Sequence, residues 1–136
     1  MHEDRTLFGQ GRYPDTGPLA VLARLTFLGA VLAIVVAVFL PPWMVPQFAH
    51  SHYLEHFAVF YVAFLMASAA MPRARLRRLG IGFGVFATAL EASHLLAGAE
   101  FKPLLDNWVA DLGGLSAAAA PIVIERFRRR FPPRGS

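Results

Sequence analysis

Four apolar stretches dominate this chain, and each is long enough to cross a bilayer as a helix, which takes about 20 residues. They fall at residues 20–40, 55–71, 79–99 and 104–124. The first has an uncharged core from residue 25 to 40 and is ended by Pro41-Pro42; the second stops at Pro72. The fourth carries Pro103 in its first turn, where proline fits a helix, and Pro121 in its last. With 56% apolar and only 16% charged residues in 136, the composition lies well outside the ordinary soluble range. The fold class that follows is all-α: a polytopic membrane protein built as a four-transmembrane-helix bundle.

Cation placement sets the expected orientation. Arg5, Arg12 and Arg24 precede or open the first span, and Arg73, Arg75, Arg77 and Arg78 fill the turn between the second and third. Arg126, Arg128, Arg129, Arg130 and Arg134 follow the fourth. The loops after spans one and three hold one cation between them, Lys102. Both termini and the middle loop are therefore expected in the cytoplasm, and the other two loops outside. Trp43, Tyr53 and Trp108 fall near the outer ends, where amphipathic rings favour the headgroup layer. The expected location is a cytoplasmic membrane, crossed several times.

The same distribution divides the chain into a cytoplasmic lead (1–19), a four-helix domain (20–124) and a basic cytoplasmic tail (125–136), the tail expected to fray beside anionic headgroups. The sequence after Leu40 is Pro-Pro-Trp-Met rather than a small-x-small site, so the first span is expected to stay as a helix rather than be cleaved. A net charge of +4 raises nucleic-acid binding, but the arginines flank apolar runs instead of lining one face, so the bilayer and not nucleic acid is the expected partner. There are no cysteines, which excludes disulfides, thiolate nucleophiles and cysteine metal sites.

The informative residues are polar ones inside the spans. Helix two opens on Glu55-His56, just after His50 and His52; helix three carries Glu91, Ser93 and His94; helix four carries Asp106, Asn107 and Asp111. An acid deep in a bilayer costs at least ~2.5–3.5 kcal/mol on insertion scales and normally faces the bundle interior. At about 1.5 Å per residue, Glu91 lies about 12 Å deep, Asp111 about 10 Å, His94 about 8 Å and Asn107 about 5 Å. Facing agrees with depth. Glu91 and His94 are three apart, and Gly84, Thr88 and Glu91 share a stripe. Asn107, Asp111, Gly114 and Ala118 form one row of helix four; His56, Phe60, Ala63 and Ala67 form one row of helix two. Small residues on such rows let helices approach closely in lipid; the glycines at 80, 82 and 84 read the same way, with a flexible start to helix three as the alternative. A polar pocket opening outward between helices two, three and four is expected, with helix one closing the bundle.

Taken together, His56-Phe57 opening one span, the acid Glu91 in the next, and Asn107-x-x-x-Asp111-x-x-Gly114 in the last give the chain a pattern that resembles the VanZ-like family of small bacterial membrane proteins. The likeness covers residues 51–114. It departs where His94 stands for a glutamine, Glu100 stands near an expected arginine, and the amide and acid of the last element are exchanged. The resemblance implies a protein of the cell envelope, in a family associated with antibiotic resistance, handling a lipid headgroup, glycan or peptidoglycan precursor at the outer face.

From the residues themselves, His56, Glu91, His94, Asn107 and Asp111 are the expected binding residues, with no cofactor and no resident metal. Three readings of them stay open. They bind a polar group; they serve an intramembrane hydrolase or transferase with Glu91 or His94 as general base and Asp111 orienting it; or they only fix helix register. A metal site on His56, Glu91, His94 and Asp111 has acceptable ligand types, and Glu-x-x-His is a spacing of carboxylate metal bundles, but it occurs once here.

Overall fold

The structure is a computed structural model, described here over residues 17–131; most of the N-terminal lead and the last five residues of the tail lie outside that range. Among the described residues the elements are α1 (Pro18–Phe39), a short 3-10 turn (Pro42–Met44), α2 (His52–Ala70), α3 (Leu76–Leu96) and α4 (Phe101–Arg130), with no strand. All four α-helices are long and apolar enough to cross a membrane.

Local chemistry explains most of the boundaries. Pro18 occupies the first turn of α1, where its missing N–H costs nothing. At the other end, Pro41 pushes the residue before it out of the helical region, and Leu40 is extended at φ −81°, ψ 146°. The α2 helix starts three residues earlier than expected because Glu55 reaches back over the entering loop. Its Oε1 accepts the Phe48 and Ala49 backbone N–H groups at 2.9 Å each. The α3 helix stops at Leu96, short of residue 99, and Gly98 follows in the left-handed region at φ +92°, which glycine adopts without a Cβ penalty.

The tail departs furthest from expectation. Residues 125–130 continue α4 as helix instead of fraying, and Arg129 pairs with Glu125 at 2.8 Å. Thirty residues make a helix of about 45 Å, well beyond a hydrocarbon core of about 30 Å. Its last turns therefore carry the arginines clear of the apolar layer, at the helix end where cations suit the dipole. The Pro121 ring does not stop it, as membrane helices tolerate.

The core lies between α2, α3 and α4. Phe64, Ala67, Ala87 and Ala118 are fully buried, and the Phe83 ring meets Phe64 edge-on at 5.4 Å and Phe60 at 6.2 Å. The α2 and α4 helices pack closely at Gly114. A Cβ there would collide with the Phe57 carbonyl oxygen and lie 3.0 Å from the Tyr61 nitrogen. That is the small-residue contact expected of lipid-embedded helices. The glycines of α3 do not share this role: a Cβ at Gly80, Gly82 or Gly84 meets nothing within 4 Å. The expectation of close packing at those three positions is overturned.

Helix α1 flanks the bundle more than it closes it. It packs chiefly on α2, and Leu25, Leu28, Leu32, Val36 and Phe39 remain exposed. Arg24 fastens its start to the far end of α2, donating from Nε to the Ala70 carbonyl at 3.3 Å. The gap between α1 and α3 leaves an apolar cavity of about 260 Å³ lined by Phe27, Val31, Ile34, Leu79, Phe83 and Phe86, with Arg78 at one end.

Candidate functional site

One polar side chain from each of α2, α3 and α4 converges near the ends opposite the arginines. His56 stands in the second turn of α2, Glu91 five residues before the end of α3, and Asp111 ten residues into α4. The observed helix ends make Glu91 shallower than expected, at about 7–8 Å, and Asp111 deeper, at about 15 Å along its own helix. Two lie on the rows their periodicity indicates: Asp111, Gly114 and Ala118 are buried in sequence along α4, as are Phe60, Ala63 and Ala67 below His56 on α2. Glu91 does not continue the expected Gly84–Thr88 stripe, since Thr88 is exposed; the buried row of α3 is Phe83, Ala87 and Glu91.

The close approach at Gly114 makes the cluster possible. One turn earlier on α4, Asp111 lies against His56, with Nδ1 2.9 Å from Oδ1. The same nitrogen is 3.9 Å from Glu91 Oε1. Burial is uneven: the Asp111 side chain is 1% exposed, Glu91 8% and His56 29%. The site is thus a compact cluster with two carboxylates at its base and the imidazole on its accessible side. Two oxygens, Glu91 Oε2 and Asp111 Oδ2, are buried with no hydrogen-bond partner. Buried polar atoms are seldom left so, and in an apolar surround each costs several kcal/mol or more.

Of the other two expected residues, one joins the edge of the cluster and one does not. The His94 ring is 34% exposed and its Nδ1 lies 3.6 Å from Glu91 Oε2, an ion-pair distance closer than that of His56 to the same acid. Asn107 is half-buried and takes no part in the contacts of the cluster. Near the same end, Asp106 is exposed and pairs with Lys102 at 3.3 Å. His52 pairs with Glu55 at 3.4 Å. Ser93 is exposed and turns back to donate to the Leu90 carbonyl at 2.6 Å.

Sequence reasoning missed two supports. Glu55 belongs to the loop clamp and not to the cluster. Trp108, marked only as an interface aromatic, donates from Nε1 to Thr88 Oγ1 at 3.1 Å. Both partners lie three residues before a cluster acid, so this contact joins α3 to α4 directly beside Glu91 and Asp111. A tryptophan and a threonine each placed at i−3 from a buried acid was the available signal.

No family model, curated protein or solved structure matches the chain.

Proposed function

We propose that this is a multi-pass protein of a bacterial cytoplasmic membrane that binds a polar group of an envelope component through His56, Glu91 and Asp111. Both termini then lie in the cytoplasm and the triad opens outward. The observation carrying this reading is the pair of buried carboxylate oxygens without partners, set beneath a half-accessible imidazole. A cluster built only to hold helix register would satisfy its own oxygens, because unpaired ones destabilise the fold they are meant to secure.

Arginine placement supports the orientation. The lipid headgroup, glycan or peptidoglycan-precursor class is supported by the site lying near the helix ends opposite the arginine clusters and by the VanZ-like order His56-Phe57, Glu91, Asp111-x-x-Gly114. Within this reading the chain is a divergent relative of that family, with binding concentrated on three of the five expected residues. Glu91 and Asp111 accept hydrogen bonds from hydroxyl or ammonium groups, and His56 meets the ligand first. The hydrolase or transferase alternative gains no particular support: Ser93, the hydroxyl nearest in sequence to the acids, is turned back onto its own helix.

Native mass spectrometry of the full chain, extracted in mild detergent, tests the proposal. An envelope lipid or glycan carrier retained by the wild type and lost from Asp111→Asn, at unchanged helix content, is the expected result. Identical bound species in both proteins refute it.

A further inference from the structure

We propose that His56, Glu91 and Asp111 form a site for one divalent transition-metal cation, zinc in the first instance, with one coordination position open toward the exterior. This rests on the binding role given to the same cluster and names what the cluster holds.

The donor set comes first. One ligand atom from each of the three residues lies within 4.8 Å of the others. The contacts from His56 Nδ1, at 2.9 Å to Asp111 and 3.9 Å to Glu91, bracket the separation of about 3.4 Å between neighbouring ligands of a tetrahedral zinc with bonds of about 2.0–2.1 Å. Small side-chain rotations bring all three into range. Three protein ligands of imidazole and carboxylate type plus an open position is the pattern of zinc sites that act on an exogenous group, and nitrogen–oxygen sets of this kind suit first-row divalent ions.

Charge balance gives the second argument. With both acids ionised the cluster carries two negative charges, which are balanced without a metal only if both His56 and the more exposed His94, 3.6 Å from Glu91, are protonated. The arginines stand at the opposite ends of the helices, and Lys102 is engaged by Asp106 at the surface. A divalent ion with a neutral imidazole brings the total to zero, which a weakly polar environment demands. It also supplies a partner for Asp111 Oδ2, which makes no hydrogen bond, and a closer one for Glu91 Oε2 than His94 at 3.6 Å.

His94, 3.6 Å from Glu91 Oε2, is then an outer-shell neighbour that orients the carboxylate. The open position lies on the His56 side, where a phosphate or hydroxyl oxygen of an envelope component can complete the coordination.

The test uses the purified full chain in detergent, stripped with chelator and titrated with Zn²⁺, and with Co²⁺ as a spectroscopic substitute. One ion per chain is expected. Removing a ligand by His56→Gln or Asp111→Asn should weaken binding by more than the roughly 10–100-fold that loss of an outer-shell partner costs. His94→Gln should retain one ion. Because the chain has no cysteine, His56→Cys should add a thiolate-to-cobalt charge-transfer band found in no other variant, which gives a positive signature if the other substitutions unfold. Substoichiometric wild-type binding overturns the proposal, as does binding lost on His52→Gln but kept on His56→Gln. Loss of the co-purified envelope component in Asp111→Asn from a wild type that binds no metal would remove the metal and leave the pocket. Stoichiometric metal with an unchanged bound component would do the reverse.

Discussion

The placement of Asp111 against His56 depends on a missing methyl group one turn away, and adding it back is the most direct perturbation of the site. In Gly114→Ala the new Cβ lies 3.0 Å from the Tyr61 nitrogen and the Phe57 carbonyl carbon, where ordinary contact begins at 3.4 Å, and it overlaps the Phe57 carbonyl oxygen more severely. All three are main-chain atoms of α2, so no side chain can swing aside. Relieving the two 3.0 Å contacts alone would take about 0.4 Å; the deeper overlap with the Phe57 oxygen sets a larger parting of the helices, and overpacking of this kind costs about 1–3 kcal/mol. The same displacement takes the His56–Asp111 contact from 2.9 Å beyond about 3.3 Å, past the usual hydrogen-bond range. Gly113→Ala is the matched control, since its Cβ meets only the Phe57 ring, at 3.4 and 3.5 Å. Thermal unfolding in detergent should show a clear loss for Gly114→Ala and little change for Gly113→Ala. Ligand retention by native mass spectrometry should fall in the first alone. Equal stability of the two variants would falsify the claim that backbone contact at Gly114 sets the site.

Topology is testable because the chain lacks cysteine: a single cysteine at Ala49 should react with a membrane-impermeant maleimide in intact cells and one at Ala74 should not, while the opposite pattern inverts the protein. His94→Gln should change stability by no more than about 0.5 kcal/mol, as a partly exposed side chain without a short contact should. It should also leave the bound component in place, and its loss would return His94 to the site. Gly82→Ala, with open space around its Cβ, should stabilise α3 by up to about 0.5–1 kcal/mol through helix propensity, and a lower melting temperature would contradict the free volume there.

The sequence reveals the four helices because crossing a bilayer is a one-dimensional problem: an apolar run of sufficient length, arginines at one set of ends and prolines at the stops. The rows through Asp111, Gly114 and Ala118 and through His56, Phe60 and Ala63 are equally legible, since helical periodicity alone places them. Distances between rows are not. Periodicity puts Glu91 and His94 on adjacent turns, and they do pair at 3.6 Å, yet the shortest contact of the cluster runs from α2 to α4. That contact depends on how far Gly114 lets two backbones approach. Helix ends are also hard to read when tertiary contacts decide them. Glu55 starts α2 early by holding the preceding loop, and the Arg129–Glu125 pair lies within the helical extension of α4.

Helix α1 contributes nothing to the triad and meets the bundle mainly along α2, anchored by Arg24 at the Ala70 carbonyl. Its outward leucines need only remain greasy, whereas the α2–α4 seam admits no extra atom at Gly114. Mutational tolerance should therefore be sharply divided by helix. A saturation scan would find α1 permissive to almost any apolar exchange except at its arginine tether, and the seam nearly frozen, marking the catalogue of naturally occurring variants in the same two bands.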